Sequence, residues 1–242
     1  AQASAKPGKF LQRAPLETYV HQMHAAVLTS DRAALDSLVA TMQAAKISEA
    51  AIAEVYVPEV ARRLGQDWVD DVLEFSAVTM GCARLQGLIR RLGPQWDHAP
   101  NSLMAEGPIY LVTTPEHSQH TLGAIVLAGQ LRWRGHAAQI VLGPDSNTLA
   151  NKLREGHYAG ILISLADEEA VDGLHAMLPI IKRHAPQTPI LAGGHIQNIA
   201  GDLAQHPDID LVTSSLEDAL RFCDYNGLAS AGRPPLNMHT IT

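Results

Sequence analysis

The sequence predicts an α/β protein in two parts, an N-terminal four-helix bundle followed by a flavodoxin-like (Rossmann-type) doubly wound parallel sheet of five strands. Three observations carry this. Between Leu16 and about Arg91 the apolar residues recur only at helical spacing. The stretch LGPQWDHAPNSLMAEG then interrupts the rhythm with turn residues and no period. Beyond it, short apolar runs alternate five times with amphipathic segments, the pattern of successive βα units. A chain of 242 residues with 46% hydrophobic residues is long and apolar enough for two modest cores. The expected boundaries are a tail at 1–14, helices over 15–92, a linker at 93–106, the α/β part at 107–225 and a second tail at 226–242.

In the first part Asp31 is placed to cap a helix carrying Leu35, Leu38 and Met42. Ser48 is placed to cap the next, with Ile52, Val55, Val60 and Leu64 inward. Pro58 has no amide hydrogen and should kink or split that segment. The clearest helix is 74–91, where Phe75, Val78, Cys82, Leu85 and Ile89 form one stripe. Ser76, Thr79, Gly81 and Gly87 are small and lie off it, suited to a close approach or to tight packing within the bundle. In the second part the strands are 108–114, 137–143, 160–165, 189–193 and 209–214. The helices between and after them are 120–133, 146–156, 168–184, 197–205 and 215–224. The simplest strand order is 2-1-3-4-5, and in such sheets ligands sit beyond the carboxyl ends of the strands.

Composition removes several classes of function. With 18 basic and 25 acidic residues the net charge is -7, which opposes a phosphate backbone, so no direct nucleic-acid ligand is expected. Up to Pro100 ten basic residues face eleven acidic ones, and beyond it the remaining eight face fourteen. A charged protein partner of the second part should therefore be basic, and Asp167, Glu168, Glu169 and Asp172 are candidates to meet it. Cys82 and Cys223 are too few for a disulfide scaffold and lack metal-binding spacing, pointing to a reducing, cytoplasmic setting. No apolar run approaches a membrane span, and the first residues lack the apolar centre of a signal peptide. There is no nucleophile elbow, HExxH or phosphate loop, so an enzyme is not expected.

The strand-end loops carry the chemistry. The first reads TTPEHSQHTLGA, with His120 three residues before Gly123 where strand one passes into helix one. The third strand ends in Ser164-Leu165-Ala166 and the fourth in Gly193-Gly194, a pair that lets a flat ligand lie on bare backbone. In this order and at these strand ends, the residues resemble the cobalamin-binding domain signature Asp-x-His-x-x-Gly, Ser-x-Leu, Gly-Gly. The resemblance implies that His120 is the lower ligand of cobalt. It also implies that Gly123, Ser164, Leu165, Gly193 and Gly194 line a slot for the nucleotide tail, with Gln119, Thr121, Thr213 and Ser214 beside them. Two positions depart from the pattern: Ser118 replaces the aspartate that orients the histidine, and the second motif has its leucine shifted.

The first part resembles the helical cap that covers the upper corrin face in such proteins, with Trp68 at the position of the covering tryptophan. Val78 and Thr79 stand where light-sensing caps for adenosylcobalamin have a Glu-His pair. That difference implies a small upper ligand such as hydroxide, or a histidine from elsewhere such as His98. From about Leu16 to Cys223 the chain resembles the AerR/PpaA-type antirepressors of photosynthetic bacteria. This resemblance implies a light-responsive cobalamin protein that modulates a redox-sensitive repressor of the photosynthesis regulon by direct contact. Heme is the alternative cofactor, with His120, His117 or Cys82 as iron ligands, and a corrinoid carrier subunit of a methyltransferase is the alternative function. Ser164 stands where a receiver domain needs an aspartate. His21, His24, His157, His184 and His206 fall on polar faces or loops, and most of them are expected to be solvated.

Overall fold

The computed structural model describes residues 15–93, 108–166, 170–194 and 200–230. His98, Asp167, Glu168, Glu169, the first tail and most of the linker lie outside the described residues. The chain divides into two compact units, Ala1–Asp97 and His98–Thr242.

The first unit is helical throughout its described residues: α1 (Glu17–Leu28), α2 (Arg32–Ala44), α3 (Glu49–Ala51), a π-helical turn (Ile52–Tyr56), α4 (Val57–Val69) and α5 (Phe75–Leu92). Asp31 and Ser48 are the caps, accepting from the amides of Ala33 at 2.9 Å and Ala51 at 3.1 Å. Each such cap contributes about 1 kcal/mol. Pro58 neither splits nor breaks its segment. The backbone widens in the turn before it, where Val57 N donates to Ile52 O. The extra residue in that turn rotates the helix face. Val55 is consequently only half-buried, and Tyr56 and Val57 take the inward positions beside Ile52, Val60 and Leu64.

The stripe expected on α5 holds only at its carboxyl end. Gly81, Leu85, Leu88, Ile89 and Leu92 are buried, Val78 and Cys82 are half-buried, and Phe75 is 64% exposed. Gly81 thus lies on the packed face, not off it. A Cβ there would stand 2.9 Å from Leu64 Cδ1 and 3.7 Å from Val27 Cγ2, so the glycine lets α5 close on α4 and α1. Arg84 crosses back to α1 and donates to the carbonyls of Val27 and Thr29, which have no further turn of helix to bond them.

The second unit is a parallel sheet in the order β2-β1-β3-β4-β5, as the sequence predicts. Its strands are β1 (Ile109–Thr113), β2 (Ala137–Val141), β3 (Gly160–Leu165), β4 (Ile190–Gly194) and β5 (Leu211–Val212). The helices are α6 (Leu122–Trp133), α7 (Ser146–Glu155), α8 (Ala170–His184), α9 (Ala200–Leu203) and α10 (Leu216–Ser230). Alternation along the strands splits the core into two faces. Ile161, Ile163 and Leu165 of β3 pack with Leu149, Leu153, Leu174, Met177 and Ile181 of α7 and α8. Leu162 of β3 packs with Ala124, Ala128 and Leu131 of α6 and with Ala219 and Cys223 of α10. Ser164 therefore belongs to the α6–α10 side.

Most boundaries move by a residue or two, and the larger differences lie at β5 and the last helix. β5 is only two residues long, and beside its start the Asp210 carboxylate accepts from Ile190 N at 2.7 Å while Asp210 N donates to Ile190 O at 2.9 Å. The last helix runs through Asn226 to Ser230, residues the sequence assigns to a tail, since Gly227 alone does not stop it. Among the described residues no helix is long and apolar enough to cross a membrane.

Candidate functional site

The carboxyl ends of β1, β3 and β4 bring together the residues that the sequence singles out. β1 releases the chain at Thr114, and Pro115–Thr121 forms a loop that returns as α6. Ser118 N donates to Pro115 O at 3.2 Å, closing a turn with His117 in the left-handed region at φ 65. Gln119 and His120 are exposed, Ser118 and Thr121 are half-buried, and Gln119 Nε2 donates to His117 O at 3.4 Å. Thr121 N-caps α6 through its backbone, its side chain making no cap bond. His120 is thus carried at the strand ends on a short, folded loop.

Gly123, in the first turn of α6, faces Ser164. A Cβ at Gly123 would stand 3.0 Å from Ser164 Oγ. Ser164 is 7% exposed and pairs in register with Gly193 of β4. The histidine loop, the α6 glycine, the β3 serine and the β4 glycine are therefore one constellation, on the α6–α10 side of the sheet. Leu165 points the other way, into the core with α8, and offers the site only its backbone.

The two tandem glycines have a role that the resemblance alone did not show. A Cβ at Gly193 would lie 2.2 Å from the carbonyl oxygen of Thr213, and at Gly194, with φ 122, 2.1 Å from that of Leu165. Backbone already occupies the space that side chains would fill, so glycine is required by the sheet itself. At Gly123 the space between α6 and β3 is closed by the Ser164 hydroxyl. An aromatic base needs about 3.5 Å to each neighbour, and Gly123 and Ser164 leave less than a methyl group's clearance. The first turn of α6 must move outward to admit one.

Thr213 and Ser214 lie just past β5. Thr213 Oγ1 accepts from Ser215 N at 3.0 Å, and Ser215 Oγ caps α10 by accepting from Asp218 N at 3.2 Å. Sequence reasoning missed Ser215 as that cap. It also missed Thr114, whose Oγ1 accepts from Gly143 N at 2.9 Å and ties the histidine loop to the loop after β2. On the opposite side of the histidine loop, Glu116 and His117 border a cavity of about 370 Å³ floored by Leu149, Met177 and Ile180.

In the helical unit Trp68 is 48% exposed and meets Phe75 edge-on, with ring centroids 6.0 Å apart. Val69 and Val72 extend this exposed apolar surface. Thr79 is exposed and its hydroxyl donates to Phe75 O at 2.9 Å, while Val78 is half-buried. Cys82 is half-buried and burial raises its thiol pKa, which works against a thiolate ligand for iron. His24 is not solvated: its Nε2 lies 2.8 Å from Asp67 Oδ2. His206 is half-buried, accepts from Asp208 N through Nδ1 and stacks on His175 at 5.2 Å.

The residue types at the strand ends suit a cobalamin, whose base would enter only once α6 and β3 part at Gly123 and Ser164. His120 is an exposed residue of the loop that leads into α6, and the nearby strand ends carry glycines on α6 and β4 and a hydroxyl on β3. Among the described residues no three His, Cys, Asp or Glu side chains form a metal-binding group.

Comparison with known proteins agrees with this fold. No protein-family model matches the chain. An uncharacterized 20.5 kDa protein from the bchF-crtJ intergenic region of Rhodobacter capsulatus is 29% identical over 186 residues, covering 75% of this chain and 95% of that protein. The monomethylamine corrinoid protein of Methanosarcina barkeri superposes with a TM-score of 0.65 at 10% identity, over 85% of this chain and 96% of that one. A cobalamin-binding protein of Desulfitobacterium hafniense matches at a TM-score of 0.44 and 15% identity, over 86% and 98%. The Methanosarcina likeness establishes a shared fold, a helical unit with a five-stranded parallel α/β unit.

Proposed function

We propose that this protein binds a cobalamin at the carboxyl ends of β1, β3 and β4 and uses it as a light-responsive regulator of a repressor protein. The observation that carries the proposal is the gathering of His120, Gly123, Ser164 and Gly193, with Gly123 set against the Ser164 hydroxyl. The shared fold with a corrinoid protein supports the cofactor. The relative in the bchF-crtJ region, together with the resemblance to AerR/PpaA-type antirepressors, supports a regulatory role over a catalytic one.

In this proposal His120 supplies the lower ligand, because imidazole is a good ligand for cobalt and the folded loop limits its freedom. Ser164 and Gly123 line the nucleotide slot once the first turn of α6 moves outward. Gly193 and Gly194 keep the strand ends free of side chains. A bound cobalamin supplies visible absorption and a cobalt whose upper ligand can exchange under light. At the two positions that the resemblance assigns to the upper face, Val78 and Thr79 offer neither carboxylate nor imidazole, and the Thr79 hydroxyl is engaged with its own helix. A small upper ligand such as water or hydroxide is therefore preferred to a bulky adenosyl group. Asp172, exposed in the first turn of α8, belongs to the acidic surface assigned to a basic partner.

The test is a set of absorption spectra of the protein reconstituted with hydroxocobalamin and with adenosylcobalamin, in darkness and after illumination. A protein-bound corrin spectrum with the hydroxo form, reached from the adenosyl form only after light, is the expected result. A Soret band from bound heme, or equal dark binding of both corrinoids, would overturn the assignment of cofactor or of upper ligand respectively.

A further inference from the structure

The cobalt ligand proposed above comes without the aspartate that would orient it, since that position is Ser118. Resting on that assignment of His120, we infer that Thr114 is its positioning residue, acting through the base of the loop instead of through the ring. β1 ends in two threonines that are both fully buried. Thr113 Oγ1 donates to Val141 O at 2.7 Å, and Thr114 Oγ1 accepts from Gly143 N at 2.9 Å. Both hydroxyls are buried and their partners Val141 O and Gly143 N belong to half-buried residues, so water replaces a lost bond only in part.

Gly143 brings its own backbone onto the histidine loop. It sits at φ 54, and the place its Cβ would take is 3.6 Å from Pro115 O and 3.7 Å from His117 N. From the other side α8 presses on the same segment, a Cβ at Gly173 falling 2.7 Å from Pro115 Cβ. Pro115 O in turn holds Ser118 N. The loop before His120 is therefore gripped between the β2–α7 connection and α8. The left-handed His117 is an independent sign of this grip. A non-glycine residue persists at positive φ only where its surroundings enforce it.

Three variants test the inference: Thr114→Val, which keeps the shape and removes the acceptor, Thr114→Ser, which restores it, and Gly173→Ala, which pushes Pro115 from behind. Thr114→Val is expected to lower affinity for hydroxocobalamin about tenfold or more, the scale on which outer-shell partners of metal ligands act. It should also speed hydrogen exchange of the Gly143 amide in the cofactor-free protein. Thr114→Ser should return both toward wild type. If Thr114→Val does not fold, Gly173→Ala carries the test, with the same loss of affinity expected at unchanged helical content. Wild-type affinity in either folded variant, or failure of serine to restore it, overturns the inference. His120→Ala separates the two levels. If it binds hydroxocobalamin as wild type does, the ligand assignment fails, and if it loses binding while Thr114→Val does not, only the positioning role fails.

Discussion

Gly194→Ala distinguishes a glycine kept for a ligand from one demanded by the sheet. The added methyl would stand 2.1 Å from the Leu165 carbonyl oxygen, where a Cβ needs at least 3.0 Å, so β3 and β4 must separate by roughly 1 Å at their paired ends. Leu165 is 1% exposed and anchors the core against α8, so β3 cannot yield freely. Overpacking of this kind costs about 1–3 kcal/mol. Holding alanine at φ 122 adds about 1–2 kcal/mol. A total near 3 kcal/mol is a large share of the roughly 5–15 kcal/mol that stabilises a typical domain. In urea, where the slope for a small domain is about 1–3 kcal/mol per M, the midpoint should fall by about 1–3 M. The assay is urea unfolding of the cofactor-free protein followed by far-UV circular dichroism. A cofactor-free variant within about 0.5 kcal/mol of wild type would refute the reasoning, because the glycine would then serve only a bound molecule.

Gly123→Ala should behave in the opposite way. Alanine suits the first turn of α6 and the Ser164 hydroxyl can rotate aside, so stability stays within about 1 kcal/mol, while hydroxocobalamin affinity falls at least tenfold in a titration because the slot narrows. Trp68→Ala removes a half-exposed ring and should leave unfolding within about 1 kcal/mol. If the ring covers the cofactor, bound cobalamin should be lost faster on gel filtration, and normal retention would take Trp68 out of the site. Glu59 is held down to about 2 by hydrogen bonds from Arg62 and Arg63. Its contribution to stability is present above the ordinary value of 4.5 and is lost as pH falls toward 2. Glu59→Gln should therefore flatten the acid limb of the thermal melting curve in that window, and an unchanged limb would contradict it. The effect should be below about 1 kcal/mol, since the network lies near the surface.

The sheet was legible because buried parallel strands are written as local apolar runs: GILISL became β3 without a change of boundary. The site's members were legible for a related reason, since topology alone delivers His120, Ser164 and Gly193 to the same strand ends. What escaped the sequence depends on distant partners. Nothing local says that the Thr114 hydroxyl meets Gly143 N, or that Gly173 must clear Pro115, because those contacts join segments 29 and 58 residues apart in number (143 − 114 and 173 − 115). Periodicity placed Phe75 and Val55 inward for want of two facts. Phe75, at the start of α5, meets Trp68 of α4 only edge-on and stays 64% exposed, and the π-helical turn before Pro58 rotates the face of that segment by one residue. Gly193 and Gly194 show the same limit: their type could be read, but not the carbonyls of Thr213 and Leu165 that require it.

The central claim is that His120 ligates the cobalt of a bound cobalamin, and an absorption titration of hydroxocobalamin into wild type and His120→Ala tests it most directly. The expected result is a saturable shift of the corrin bands with wild type. His120→Ala should show no shift, or one at least tenfold weaker, with the same far-UV circular dichroism. Equal affinity and the same bound spectrum in a folded His120→Ala variant would contradict the claim.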